Sequence, residues 1–365
     1  MKEFLKREFL FFIFLFLFVL LALIERPSVE RIVTSIDFPT IRALAGLMLI
    51  TVAMKQSGFF DRMVHRFISR AGTERRLAFA VVFSAVFLSM FLTNDITLFV
   101  LLPVFHALKK YIQNDLTDIL IFTAIGVNAG SALTPVGNPQ NIFLYRHWDV
   151  GFFQFVMDMF PVFSVMFVFL VVFIVFSIPA RKVEHILPPE MPGVNRFLFF
   201  SSVFLFVLFV MAMEMHLLRY LLPVIAVFYL IVATSVYREF DYFLIITFIL
   251  MFIDFSMLAS LSPVLNFFSL VDVGSDVQMF GLSVVLSQIM SNVPAAILMS
   301  HFSTDHLAIA YGVNIGSSGL VIASLANLIA IRGYGGKGVY SRFHRYSIVY
   351  LIVTSGIILV YLLAV

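Results

Sequence analysis

The chain has 365 residues, of which 61% are hydrophobic and only 12% are charged. A soluble globular protein has a lower apolar fraction and about twice as much charge, so this composition excludes a soluble globule. The formal net charge of +3 lies scattered between apolar segments, which argues against a nucleic-acid-binding domain, and the lack of cysteine excludes disulfides and thiolate metal sites.

Apolar windows of about 17–25 residues predict membrane-spanning helices. The first window follows a basic start without a small-residue cleavage site, so it is expected to be a retained helix and not a signal peptide. Seven windows are uninterrupted: 9–24, 38–55, 152–178, 196–213, 218–236, 241–260 and 346–364. Four further stretches are interrupted by polar residues, glycine or proline: 77–108, 117–147, 277–301 and 306–332.

The distribution of Lys and Arg predicts which side of the membrane each loop faces. The basic amphipathic segment 58–76 is typical of the cytoplasmic surface. If 77–108 and 277–301 are re-entrant hairpins that return to their own side, most basic residues lie inside, and this asymmetry is lost if either stretch crosses the membrane. The pattern predicts a cytoplasmic N-terminus and an external C-terminus. The basic residues expected outside are mainly Arg26, Arg31, Arg146 and Arg219.

Two matched pairs of segments predict an internal repeat. VFLSMFLTND, which starts at Val86, resembles VVLSQIMSNV at Val284, with a spacing of 198 residues. GVNAGSALTPVGNPQN, which starts at Gly126, resembles GVNIGSSGLVIASLAN at Gly312, with a spacing of 186 residues. Chance similarity between Gly- and Ser-rich helices is the alternative, and the shared order of the two blocks disfavours it.

The two repeats are expected to be inverted, because the first hairpin enters from the cytoplasm and the second from outside. Residues 1–180 form the first predicted repeat and residues 195–365 the second, with a cytoplasmic linker at 181–194. Each repeat contains a hairpin, a broken helix and a closing helix.

The interrupted helices indicate a site, because a helix broken in mid-membrane must line an enclosed or watery cavity. In 117–147 the expected interruptions are Gly130, Pro135, Gly137 and Pro139. Carbonyl groups freed at a break can bind a cation, and half-helix N-termini can bind an anion. Asparagines near the breaks add neutral donors and acceptors, although bonding between helices is the alternative role for each. These asparagines are Asn94, Asn138, Asn141, Asn292 and Asn327.

LTPVGNPQNIFL and SQIMSNVPAAIL resemble the two signature regions of the ion transporter superfamily. Within it, the chain resembles the citrate-transporter-like group, which includes arsenite permeases and one type of sodium/proton antiporter. The resemblance covers nearly the whole chain. It implies an all-α fold of two inverted repeats, each with a re-entrant hairpin and a broken helix. It also implies an elevator-type transport domain, a scaffold and a homodimer.

In sodium-coupled dicarboxylate members of this superfamily, each hairpin tip and the facing broken helix hold sodium and one substrate carboxylate. The resemblance implies a first sodium site formed by Ser89, Thr93, Asn94 and the carbonyl of Gly137. It implies a second formed by Ser287, Met290, Asn292 and the carbonyl of Ala323. The implied substrate contacts are Asn94, Asp95, Asn138, Asn292, Val293 and Ser324.

Two positions depart from the dicarboxylate pattern, because Asp95 and Val293 stand where those carriers have threonines. A carboxylate repels a dianion and valine offers no hydroxyl, which disfavours a dicarboxylate substrate. A carboxylate inside the membrane is costly and usually functional. Asp95 is therefore predicted to couple transport to a cation or proton, with a structural pair to a buried base as the alternative. Asp254, in the middle of the apolar window 241–260, is a second coupling candidate.

These observations predict a secondary active transporter in the inner cell membrane that moves a small inorganic oxyanion or organic acid on a sodium or proton gradient. The alternative is a sodium/proton antiporter or an arsenite-type efflux permease. An enzyme is disfavoured because HEXXH, GxSxG and carboxylates paired on one helix face are absent from the sequence. A passive channel would give occluding hairpins no role. The expected partners are substrate, membrane lipid and a second copy of the chain, with no cofactor besides the coupling ion.

Overall fold

The computed structural model describes residues 8–68, 71–111, 115–183, 193–304, 306–335 and 338–364. Within these ranges the chain is all-α, with no strand beyond an isolated bridge between Thr73 and Lys182. Most of the predicted linker at 181–194 lies outside the described residues.

The helices of the first half follow the predicted order. They are α1 (Phe9–Glu25), α2 (Val29–Thr34), α3 (Phe38–Gln56), α4 (Phe59–Ile68), α5 (Glu74–Ser89), α6 (Asn94–Tyr111), α7 (Thr117–Ser131), α8 (Pro139–His147) and α9 (Phe152–Ser177). The start of α3 is fixed by local hydrogen bonding and by proline. The carboxylate of Asp37 accepts the Thr40 N–H at 3.0 Å and thereby caps α3, and Pro39 occupies its first turn.

The second half repeats this order after one additional helix. Its helices are α10 (Arg196–Glu214), α11 (Leu218–Val232), α12 (Val236–Glu239), α13 (Tyr242–Ser260), α14 (Ser262–Phe268), α15 (Asp276–Met290), α16 (Asn292–Ser300), α17 (His306–Gly316), α18 (Leu325–Tyr334) and α19 (Val339–Ala364). A short 3₁₀ turn, Val321–Ala323, lies between α17 and α18. Helices α3 and α13 have 19 residues each, and the closing helices α9 and α19 have 26 each.

Five helices in the described residues are long and apolar enough to span a membrane: α3, α9, α10, α13 and α19. One predicted span is shorter than expected, since α11 ends at Val232 and not near 236, whereas α1 matches its predicted window to within one residue. The last helix starts at Val339 and not near 346, because hydropathy does not register its polar first turns. Those turns hold Arg342, which pairs with Asp115 and Asp118 before and within α7.

Each interrupted stretch is a pair of helices separated by a break. The breaks lie at 90–93, 132–138 and Ser291, and at 317–324 around the 3₁₀ turn. Helix α5 packs against α7, and α15 packs against α17 in the same way. The broken helices also pack across the halves, because α18 contacts α6 and α7 while α16 and α17 contact α8. The structure therefore brings all four breaks into one region.

Glycines permit the close contact between these helices. A Cβ at Gly130 would overlap the carbonyl oxygen of Val86, and a Cβ at Gly312 would overlap the side chain of Ser283. Small residues at such contacts let helix backbones approach closely in membranes. The prediction that Gly130 and Pro139 interrupt the helix is wrong. Gly130 lies inside α7, where it serves packing, and Pro139 starts α8, where its missing N–H costs nothing.

Candidate functional site

The first hairpin tip lies against the break of the first broken helix. The peptide N–H of Asn94 donates to the carbonyl of Gly137 at 3.1 Å, and the Thr134 hydroxyl donates to the carbonyl of Met90 at 2.6 Å. The side-chain oxygen of Asn94 accepts the N–H of Asp95 at 3.0 Å. Asn94 and Asp95 are both buried at the first turn of α6. The tip is thus fastened to the broken helix through main-chain groups.

The second tip has a corresponding arrangement with a different anchor. The hydroxyl of Ser291 donates to the carbonyl of Ala323 at 3.3 Å, and Ser291 itself has a φ of +78°. The side-chain oxygen of Asn292 accepts the N–H of Val293 at 2.9 Å, as Asn94 does in the first tip. The Asn292 amide nitrogen is buried and has no hydrogen-bond partner among the described residues. The second tip therefore presents an unpaired donor at the break.

The two breaks are joined by buried side chains. In one set, the amide of Asn128 donates to the side-chain oxygen of Asn327 at 2.8 Å and to the carbonyl of Ser317 at 3.1 Å. The hydroxyl of Ser324 donates to the side-chain oxygen of Asn128 at 3.0 Å. Asn327 also donates to the carbonyl of Ser317 at 2.7 Å. This set links α7 to the break before α18.

The other set makes three of these four bonds with the halves exchanged. The amide of Asn314 donates to the side-chain oxygen of Asn141 at 2.7 Å, and the amide of Asn138 donates to the side-chain oxygen of Asn314 at 3.1 Å. Asn141 also donates to the carbonyl of Ser131 at 3.1 Å. At a spacing of 186 residues, the corresponding pairs are Asn128 with Asn314, Ser131 with Ser317, Asn138 with Ser324, and Asn141 with Asn327. We call these eight residues the crossing network.

The crossing network is neutral, because asparagine and serine carry no charge. Hydrogen-bonded amides are far less costly to bury than ions, and these six side chains, with the carbonyls of Ser131 and Ser317, hold the ends of four half-helices together without an ion pair. The sequence predicts that the carbonyls freed at the first break are open to a cation. The structure differs, because several of them already accept hydrogen bonds. Asn141 takes those of Ser131, Ala132 and Thr134, since buried carbonyls need partners.

Many of the predicted site residues lie together. Asn94 contacts Gly137, Asn138 joins the crossing network, and Ser324 joins it from the other half. The hydroxyls of Ser89 and Ser287 are buried but donate to helix carbonyls, those of Val86 and Ser283. Thr93 and Val293 are nearly buried, and Met290 is partly buried beside Ser291.

Asp254 is set apart from these residues by its surroundings. It is fully buried in α13, and neither carboxylate oxygen has a hydrogen-bond partner among the described residues. An unpaired buried carboxylate is costly to keep charged, which distinguishes Asp254 from the neutral residues around the breaks.

Asn128 and Asn314 were missed as site residues, although both belong to the matched GVN segments. Their shared position in the repeat was the available signal. The end of the first broken helix has a further feature, since the ring of Trp148 lies 5.1 Å from that of His147 and 6.0 Å from that of His306. Trp148 thus stands where α8 ends and α17 begins.

Comparison with known proteins gives one family. A profile described as citrate transporter matches residues 5–305. The chain is 35% identical over 314 residues to the inner membrane protein YbiR of Escherichia coli, which covers 86% of this chain and 84% of that protein. It is 32% identical over 340 residues to an uncharacterized transporter of Methanocaldococcus jannaschii, with 92% of each chain covered. Over 134 residues, 37% of this chain and 28% of the relative, it is 27% identical to a silicon efflux transporter of Oryza sativa.

Proposed function

Since the chain belongs to the citrate transporter family, we propose that it is a secondary active transporter that moves a small inorganic oxyanion or organic acid on a sodium or proton gradient. Family membership makes the chain a membrane transporter and not an enzyme. The substrate class and the coupling ion are the proposed part.

One observation carries the anion proposal: the amide nitrogen of Asn292 is buried at the second tip without a partner. An unpaired buried donor costs about 1–3 kcal/mol, which an acceptor oxygen of a bound anion would remove. Four half-helices, α6, α8, α16 and α18, also begin at the breaks, and helix N-termini favour negative charge. Asn94, Asn138, Val293 and Ser324 would complete the substrate contacts.

We propose that sodium or a proton binds beside the substrate at both tips. The first sodium site would use Ser89, Thr93, Asn94 and the Gly137 carbonyl, and the second Ser287, Met290, Asn292 and the Ala323 carbonyl. Support comes from the tip contacts, in which each of these two carbonyls already faces a tip. Oxygen donors of this kind suit a hard cation. Asp95 would supply the only charge at the tips.

The proposed architecture is two inverted repeats with re-entrant hairpins and an elevator-type transport domain. The recurrence of the same hydrogen bonds at a constant spacing supports a repeat. The lengths support re-entrant segments, because α5 has 16 residues and α16 has 9, about 24 and 14 Å, against a hydrocarbon core of about 30 Å. A homodimer and a cytoplasmic N-terminus complete this proposal.

A sodium/proton antiporter, or an efflux permease for a neutral oxyacid, is the second candidate. The observation that favours it is the presence of two buried carboxylates, Asp95 at a tip and Asp254 in α13, in a family with a silicon efflux relative. Two buried acids suit the exchange of a cation for protons more than the binding of an anion.

Uptake into proteoliposomes tests these two candidates. Purified protein would be given labelled citrate, phosphate or arsenite with an imposed sodium or pH gradient. We expect saturable uptake of one anion that needs a gradient and is reduced at least about tenfold in Asn292→Ala. The control is Asn266→Ala, which alters an exposed asparagine. Sodium-driven proton exit without any anion would favour antiport, and anion uptake indifferent to both gradients would contradict both candidates.

A further inference from the structure

A basic cavity lies where α3, the end of α8 and the turn between α10 and α11 meet. Its volume is about 290 Å³. Small-molecule sites start at about 300 Å³, so the cavity has room for one small ion. Its lining residues are Pro39, Arg42, Arg146, His216, Leu218 and Arg219.

The three arginines of this cavity have no carboxylate partner among the described residues. Arg146 donates to the carbonyl of Met213 at 2.9 Å, and its Nε is buried without a partner. Arg219 lies against an aromatic face, with its guanidinium 4.6 Å from the ring centre of Tyr220. Arg42 makes no ion pair within the described ranges. Three like charges around one cavity repel one another unless an anion lies between them.

The carboxylates near the cavity bond to groups other than its arginines. His216 Nδ1 lies 3.1 Å from Arg146 and must accept its hydrogen bond, because arginine only donates. The neutral ring then carries its proton on Nε2, which faces Asp149 at 3.3 Å. Asp37 caps α3, and Glu214 accepts from the hydroxyl of Tyr145 and the N–H of Phe152. None of these carboxylates forms an ion pair with an arginine of the cavity among the described residues.

The start of α11 adds a further attraction for negative charge. Its N-cap residue, Leu217, has no side chain that can accept from the first-turn N–H groups. Leu218 and Arg219, which line the cavity, occupy that first turn. A helix N-terminus carries a partial positive charge, and here its first two residues line the same cavity as Arg42 and Arg146.

We propose that this cavity binds an anion through carboxylate or phosphate oxygens. Guanidinium groups recognise such oxygens with paired, charge-assisted hydrogen bonds. The site is separate from the crossing network and goes beyond the transported substrate. It would also explain two arginines that the charge pattern places on the outer face against the general bias, Arg146 and Arg219. A bound anion would tie the broken helix, through α8, to α3 and α11.

The anion has two possible sources, a soluble ion or the phosphate of a lipid headgroup. Arg219 and His216 are exposed at the edge of the bundle, where either source can reach them. The shared chemistry is an oxyanion held by arginine, and the lipid composition of the sample separates the two sources.

The test is thermal unfolding in lipid nanodiscs. Wild type would be measured in phosphatidylcholine alone with citrate, inorganic phosphate or chloride at equal ionic strength, and again with an equal part of phosphatidylglycerol. The variants are Arg219→Gln and Arg42→Gln, with Arg26→Gln as the matched control outside the cavity. Arg146→Lys is the second test of the centre, because it keeps the charge and removes the planar fork.

We expect citrate or phosphate, or phosphatidylglycerol, to raise the unfolding midpoint of wild type and of Arg26→Gln. In Arg219→Gln the concentration needed for half of this effect should rise about tenfold, as for a lost hydrogen bond to a charged group. An effect of soluble anions in phosphatidylcholine identifies a soluble ligand, and an effect of phosphatidylglycerol alone identifies a headgroup.

Two results would overturn the proposal. One is an equal response of Arg219→Gln and Arg26→Gln under every condition. The other is an anion effect that Asn292→Ala abolishes and Arg219→Gln retains, because the anion would then bind at the tips. That second result would leave the proposed transport function intact, whereas failure of gradient-driven uptake would leave the basic cavity intact.

Discussion

The two hairpin tips are held against the facing breaks by different groups. In both, an asparagine side chain accepts the next N–H, and the tip contacts a carbonyl of the facing break. The first tip makes that contact with the main-chain N–H of Asn94, and the second with the hydroxyl of Ser291. The first tip carries Asp95, where the second has Val293.

This difference indicates that the two tips, although similar in backbone arrangement, depend on their side chains to different degrees. A main-chain anchor is independent of side-chain identity, so the first tip can change its side chains without losing its position. The second tip depends on one hydroxyl and on a φ of +78° that few residues other than glycine adopt readily. The charge sits on the tip with the main-chain anchor.

The largest effect is expected at the two carbonyl positions, Gly137 and Ala323. A Cβ at Gly137 would overlap the Ser131 carbonyl, so Gly137→Ala should destabilise the protein by about 3 kcal/mol, the upper end for overpacking. Ala323 already has a Cβ, and Ala323→Gly should cost only about 1 kcal/mol. Thermal unfolding of the purified variants measures both. Equal losses would show that the two breaks have equal space.

The next largest effect is expected on transport, when Asp95, the acid of the first tip, is replaced. Asp95→Asn should fold normally and make anion uptake at least about tenfold less responsive to the sodium or pH gradient, because the carboxylate is the proposed coupling group. Val293→Thr, the control at the other tip, should keep the response. The measurement is proteoliposome uptake with and without each gradient, and an unchanged response in Asp95→Asn would remove Asp95 from the coupling mechanism.

A smaller effect tests the side-chain anchor of the second tip. Ser291→Ala should lose about 1 kcal/mol, since it loses the hydrogen bond to Ala323 and keeps the strained φ. Ser291→Gly loses the same bond but relieves the strain, so it should be the more stable of the two variants. Thr93→Ala should leave the contact with Gly137 intact, because that contact uses the main chain of Asn94. Chemical or thermal unfolding ranks the stabilities of the three variants. If Ser291→Ala proves more stable than Ser291→Gly, the positive φ of Ser291 is not a source of strain.

The smallest effect is expected on the pH dependence of stability, through Asp115 at the start of the first broken helix. Burial alone would raise the pKa of Asp115, but hydrogen bonds from Thr117 and the ion pair with Arg342 outweigh it and lower the pKa. Such a carboxylate stabilises the fold above its ordinary pKa of about 4, and this contribution disappears as the pH falls through the lower folded value. Because the pair is largely exposed, the contribution is below about 1 kcal/mol.

The measurement is the unfolding midpoint across that acidic range. Asp115→Asn should weaken the fall of the midpoint with decreasing pH, and Glu30→Gln, an exposed acid of α2, should not. At a spacing of 186 residues, Asp115 corresponds to His301, which has no carboxylate, so the effect should be specific to the first half. Identical curves for wild type and Asp115→Asn would contradict it.

Much of this arrangement could be predicted from local sequence. Gly, Pro and Ser mark the breaks, and the matched segments bring Asn94 and Asn292 to equivalent positions. The start of α19 was missed because hydropathy windows discard turns that contain Arg342 and its neighbours. The partners in the crossing network were not predictable, since Asn128 and Asn327 lie 199 residues apart and their pairing depends on packing in space. The same applies to the basic cavity, whose arginines come from three separate helices.

Trp148 is the only tryptophan in the sequence, and its ring lies among two histidine rings at the joint between the first and second broken helices. The native chain consequently contains a single tryptophan fluorophore, and it lies at the joint between the two broken helices. Its emission can follow a change of packing at this joint in real time and without any label or substitution.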